Sequence, residues 1–189
     1  MTGAAGRSAA VLAALVCALA AGPSPAAAQT TQSQRFFKAR LLEDPRTSET
    51  IKDLLREGGG FVDRSVVFRD LTRDKRHDAV VRVHSGGAAG VVAVYVFSTD
   101  TLRPKGNGLR VVFRAQRLVR GSTRVSKGVV SYREARYTPS DELCCPTQLL
   151  ETTLRWDRSE KRFTNPSRRV IEREPEAQAP AAPEPASGS

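Results

Sequence analysis

Sulfur, imidazole and aromatic side chains are all scarce in this chain. Of its 189 residues only three are cysteine, two histidine, one methionine and one tryptophan, and aromatics make up 6%. Three cysteines cannot build the dense disulfide framework of a small secreted scaffold. The two histidines, His77 and His84, stand at no recognised zinc-ligand spacing from Cys144 and Cys145, although together they would supply a Cys₂His₂ set. Neither a G-x-S-x-G elbow nor an H-E-x-x-H helix occurs, which removes familiar signatures of serine hydrolysis and zinc proteolysis. His84 and Ser85 are neighbours, but neighbours on a strand face apart, so they make no nucleophile–base pair. No enzymatic activity is expected. With no aromatic stacking motif and no basic helix bearing base-reading residues, nucleic acid is not an expected partner either.

Long apolar runs are limited to one, Ala9 to Ala21. Arg7 precedes it, Gly22-Pro23 breaks it, and Ala26-Ala27-Ala28 supplies a small-residue cleavage site before Gln29. Residues 1–28 therefore read as a cleavable signal peptide. The run is shorter than the roughly 20 residues a spanning helix needs, so no transmembrane span is expected in the mature chain. Cys17 follows Val16 rather than the small residue normal at a lipoprotein processing site, and is read as part of the leader's apolar core. The expected location is secreted or cell envelope.

Negative charge is in deficit: 20 acidic residues face 30 basic ones, for a formal charge of +10. By direct count arginine outnumbers lysine 24 to 6. Such a chain outside the cytoplasm is drawn to anionic envelope polymers, lipid headgroups or another, acidic, envelope protein, and arginine suits bidentate contacts to phosphate and carboxylate.

The pattern divides the chain into four parts. After the leader, residues 29–60 form a helical N-terminal segment. Phe37 and Leu41 are four apart within Ser33 to Leu42, and Ile51, Leu54 and Leu55 share one face. Asp44-Pro45 reads as the opening of the second helix, and Gly58-Gly59-Gly60 ends it. Residues 61–171 read as a β-rich domain, because the period changes to two. Strands are expected at Val66 to Phe68, Ala79 to His84, Val91 to Phe97, Leu109 to Gln116, Val129 to Tyr137 (paired with Arg124 to Ser126 across Lys127-Gly128) and Leu150 to Asp157. The nearly unbroken Val91 to Phe97 run implies burial on both faces, with the leading helices available as cover. Strands joined by short turns favour antiparallel pairing. The expected class is α+β: an antiparallel meander of six to seven strands, curled or partly closed, with two short N-terminal helices. Residues 172–189, rich in Glu, Pro, Ala and Ser, read as a disordered tail.

Two motifs carry chemistry. Cys144 and Cys145 are adjacent, with α-carbons about 3.8 Å apart across a trans peptide, below the range ordinary disulfides prefer. Pro146 and the upstream Pro139-Ser140-Asp141 place them in a loop, where a vicinal disulfide is geometrically allowed. Their readings are a stiffened turn, a redox pair, an intermolecular disulfide or, with the histidines, a metal site. Asp70, Thr72, Asp74 and Asp78 occupy positions 1, 3, 5 and 9 of a loop between two strands, the oxygen-ligand positions of a calcium loop. The spacing resembles D-x-N-x-D-G-x-x-D loops of the FG-GAP type, with Lys75 in the glycine's place. Weak calcium binding is one reading. The other is a turn whose aspartates bond local backbone N–H groups. No other cofactor is expected.

The D-x-x-x-D-x-x-x-D-A-V-V segment (Asp70 to Val81), the D-x-L-C-C-P segment (Asp141 to Pro146) and the L-x-W-D hairpin (Leu154 to Asp157, with Phe163) together resemble the LppP/LprE-type family of small exported actinobacterial lipoproteins. The resemblance spans about Val66 to Phe163. It implies export and makes the cysteine pair a family feature, and it implies no catalytic activity and no ligand. The expected function is that of a non-catalytic envelope or extracellular protein, binding or structural, with thiol-redox or metal handling through Cys144 and Cys145 as the alternative.

Overall fold

The computed structural model describes residues 31–57, 59–99 and 108–173. The expected leader, and residues 174–189 of the tail expected over 172–189, lie outside the described residues; Glu172 instead ends the last strand, and Arg173 N donates to the Thr147 carbonyl.

Helix α1, Gln32–Glu43, begins with a capping box: the Thr31 hydroxyl accepts from Gln34 N (3.2 Å), and Gln34 Oε1 accepts from Thr31 N (2.8 Å). Gln34 Nε2 also donates to the Val62 carbonyl at 2.7 Å, tying the helix to the sheet. Phe37 and Leu41 are buried, as their spacing requires. The second helix starts later than Asp44-Pro45 suggests. Asp44 closes α1, and α2 runs Glu49–Arg56 behind Ser48. The Asp44 carboxylate accepts from Arg46 N (3.1 Å) and Thr47 Oγ1 (3.4 Å) and pairs with Arg114 (3.1 Å), so it caps the connection rather than the helix.

Among the described residues eight strands follow, all paired antiparallel: β1 Phe61–Val62, β2 Val67–Arg69, β3 Asp78–His84, β4 Val91–Thr99, β5 Leu109–Ser126, β6 Val129–Arg136, β7 Gln148–Asp157 and β8 Arg162–Glu172. The order is β1-β3-β4-β5-β6-β7-β8, with β2 also on β3, and the sheet is not closed. The class is therefore α+β, with more strands than the six or seven expected. Strand β1 is too short to show a period. Strand β8 contains Asn165-Pro166, which argues against a strand in sequence. Its pairing accommodates them with one extra residue, since Thr153 faces Ser167 while Arg155 faces Thr164.

The 18-residue β5 joins what read as two separate strands. Its first half pairs with β4 and its second half with β6. At the junction the register jumps from Ala93↔Gln116 to Val91↔Gly121, and Arg117 and Arg120 take positive φ of 65° and 49°. The extra residues bend the strand, as bulges do. Gly121 is required there: a Cβ would lie 2.8 Å from the Val91 carbonyl oxygen and within 3.3 Å of Leu118. The next turn, Lys127-Gly128, has φ of 48° and 73°, the left-handed pair that a two-residue hairpin prefers.

Two cores result, and β4 feeds both. Ala93, Tyr95 and Phe97 pack with Phe37, Leu41, Ile51 and Leu55 of the helices. Val94 and Val96 pack with Leu118, Val130, Tyr132 and Leu154 of the second half of the sheet. The double burial read from its sequence is thus realised, with helices on one side and the folded-over sheet on the other. A bulge at Val112, where Val96 faces Phe113 but Phe97 faces Val111, shifts the alternation of β5. Leu109 and Val111 lie against the helix core and Phe113 and Ala115 in the other. Arg114 and Gln116 consequently reach the helices. Gln116 accepts from Ser48 N (2.8 Å) and Tyr95 Oη (3.0 Å) and donates to the Arg46 carbonyl (3.2 Å). Burial of Tyr95 pushes its phenol up to about 12.

Candidate functional site

Among the described residues, three places gather polar or sulfur chemistry. The first is the aspartate loop between β2 and β3. Asp78 is fully buried; its Oδ2 accepts from Leu71 N (2.7 Å) and Thr72 N (2.8 Å), and its Oδ1 accepts from Thr72 Oγ1 (3.4 Å). Asp70 accepts from Asp74 N (3.1 Å) and Lys75 N (3.0 Å), and Asp74 accepts from Arg76 N (2.9 Å). Lys75 takes the left-handed φ of 68° that the glycine of a calcium loop would favour. Asp70, Thr72 and Asp74 share one loop that Asp78 closes at the start of β3, but the aspartate oxygens accept backbone N–H groups and the Thr72 hydroxyl donates to Asp78. Among the described residues no group of three or more His, Cys, Asp or Glu is placed to hold a metal ion. His84 bonds Asp63 at 2.9 Å and stacks on Phe61, so it belongs to the β1–β3 edge rather than to a set with the cysteines. Arg82 sits 2.8 Å from the same carboxylate. Although partial burial of Asp63 works in the opposite direction, its bonds from Ser65 N and His84 and the Arg82 charge leave it below the usual carboxylate range.

The second place is the β6–β7 loop. Cys144 and Cys145 are exposed there, their sulfurs at disulfide distance and their Cα atoms 3.8 Å apart. Asp141 clasps the loop: its carboxylate accepts from Thr138 N (2.8 Å) and Oγ1 (2.8 Å) at one end and from Thr147 N (3.1 Å) and Oγ1 (2.9 Å) at the other. Those bonds, the one from Thr138 N foremost, hold its pKa down to about 2. The Arg120 guanidinium, from the β5 bend, donates to the Cys144 carbonyl, and Tyr137 Oη donates to that of Leu143 at 2.9 Å. Leu143 projects at the tip, 88% exposed.

The third place was invisible as a unit in the sequence. Alternation sends Val130, Tyr132, Thr152 and Leu154 inward, so their neighbours line the outer face of β5–β8. Pairing arranges two rows on it. Ser122, Arg133, Glu151 and Arg169 lie side by side, and next to them Arg124, Ser131, Thr153 and Ser167. In the first row Glu151 is buried between two guanidinium groups, Arg133 Nε at 2.8 Å and Arg169 Nε at 2.7 Å. Both bonds, that from Arg133 first, hold its carboxyl below the usual range. A shallow pocket of about 270 Å³ opens beside it, floored by Thr153 and Ser167 and walled by Arg155, Arg169 and Glu151. A second pocket of about 360 Å³ lies between α1 and β5; there Arg40 and Arg114 are paired with Glu43 and Asp44. Outward arginines could be read from each strand, but their grouping needed the register and a strand, β8, that the sequence conceals.

No helix among the described residues is long and apolar enough to cross a membrane. No family model, curated protein or solved structure matches this chain.

Proposed function

We propose that this chain is an exported, non-catalytic protein of the cell envelope or extracellular space that binds anionic envelope components. One observation carries the reading: arginine and lysine outnumber aspartate and glutamate 30 to 20, while several of those aspartates are turned into the backbone. Asp70, Asp74, Asp78, Asp141 and Asp157 all accept backbone N–H groups in turns. The full chain carries ten more positive than negative charges, nine once Arg7 leaves with the leader; that net charge counts every carboxylate, paired or not, and its field attracts polyanions. Export rests on the 1–28 leader, and the resemblance to the LppP/LprE-type proteins accords with it. Retention of the mature protein on isolated cell wall, with release as salt rises, is the expected result. Retention that ignores salt, or no retention, would sink the electrostatic reading.

A second reading, thiol exchange at Cys144–Cys145, is favoured by the exposure of both residues in a braced loop. An external dithiol would donate two electrons and two protons, leaving two cysteine thiols here and a disulfide in the reductant. Intact mass with and without reductant, plus alkylation counting, tests it. Two unreactive thiols in protein exported under native conditions would exclude it.

A further inference from the structure

We infer that the outer face of β5–β8 is a binding site for an acidic glycan, a sugar chain bearing carboxylate or phosphate groups. The inference rests on the polyanion reading above and gives it a place and a ligand class. The pocket beside Glu151 has the required parts. Its floor is two small hydroxyl side chains, Thr153 and Ser167, on neighbouring strands, which stand about 4.8 Å apart. They suit the alternating donors and acceptors of sugar hydroxyls. Its walls carry Arg155 and Arg169, whose planar guanidinium groups match carboxylate and phosphate geometry.

Glu151 gives this wall its order. Its Oε2 takes Nε (2.7 Å) and Nη2 (2.6 Å) of Arg169, so the side chain is held across the strands, and a guanidinium has three further N–H groups for a ligand. Glu151 is itself only 8% exposed, while Arg169 is 68% exposed. The negative partner is withdrawn and the positive one presented. With Arg133 on its other side, Glu151 leaves the trio with a net positive charge, to which Arg155 and Arg124 add on the same face. The row Arg124–Ser131–Thr153–Ser167 continues the floor over three strand spacings, roughly 14 Å. That is the length of a few sugar units rather than of a lone ion. The named floor and walls contain no aromatic ring, so a neutral glycan would lack a stacking surface here.

Titration calorimetry of the mature protein at physiological salt tests this, with polygalacturonate as the carboxylate probe, a phosphomannan as the phosphate probe and neutral dextran as control. At least one acidic glycan should bind and dextran should not. R124A/R155A should weaken binding at least about tenfold, the scale of losing charge-assisted hydrogen bonds. R35A/R64A, with the same charge loss on exposed positions at the other end of the molecule, should change it less than about twofold. Equal losses in the two variants would reduce the effect to net charge and overturn the site while leaving the polyanion reading intact. Retention on cell wall without affinity for either acidic glycan would overturn this inference alone, and absence of both would remove the two together. Binding only to phosphatidylglycerol vesicles would replace the glycan with a membrane surface and equally refute the assignment.

Discussion

Asp141 organises the cysteine loop through one carboxylate accepting four hydrogen bonds. Its folded pKa of about 2 lies below the ordinary 3.8. A depressed carboxyl favours the ordered state fully above its unfolded pKa, and that advantage fades as pH falls from about 4 through 2. Amide-exchange protection at Thr147 should therefore hold at pH 5 and decline toward pH 2. D141N, which turns a donor toward donors, should remove it already at pH 5. Unchanged Thr147 protection in D141N would mean that other contacts order the loop. The adjacency of Cys144 and Cys145 was plain in sequence, because consecutive residues need no fold to meet. The clasp spanning Thr138 to Thr147 was not, since it depends on how the loop closes. Likewise, the spacing of Asp70, Thr72, Asp74 and Asp78 allowed either ligands or turn caps. Which way each carboxylate turned was decided by the local backbone.

At the scale of elements, β5 determines how the molecule is put together. Two irregularities, the bulge at Val112 and the bend at Arg117 to Arg120, turn one strand into a member of two half-sheets. G121A should destabilise the protein by about 1–3 kcal/mol in urea unfolding, because its Cβ meets backbone that cannot retreat; a neutral result would show the bend to be compliant. Q116L keeps the volume but strands Ser48 N–H and the Tyr95 hydroxyl, at a cost of about 1–3 kcal/mol, and should loosen α2 first, seen as faster amide exchange over Glu49–Arg56. The helices and the inner strands were legible from periods of 3.6 and 2. The Val112 bulge was not, since an extra residue inside an apolar run leaves no mark on composition. Strand β8 was hidden by its arginines, Asn165 and Pro166.

At the scale of the whole molecule, β4 couples two cores. F97A removes a ring from the helix-side core and should cost about 3–5 kcal/mol. Because β4 belongs to both cores, fluorescence of Trp156, on β7 in the far half, should shift its unfolding midpoint together with far-UV circular dichroism. Separate transitions would mean that the half-sheets unfold independently. The amino-acid sequence alone determined the charge excess, the leader-like start, the α+β class and the double burial of Val91 to Phe97, all of which depend on composition or on neighbours within one element. Only the tertiary structure decided that Arg133, Glu151 and Arg169 form a row, that Thr153 and Ser167 floor a pocket, and that Gln116 meets the helices. Alternation along a strand fixes which residues share a face of that strand, whereas strand order, register and bulges fix which faces meet, and these are set by contacts between residues far apart in the chain.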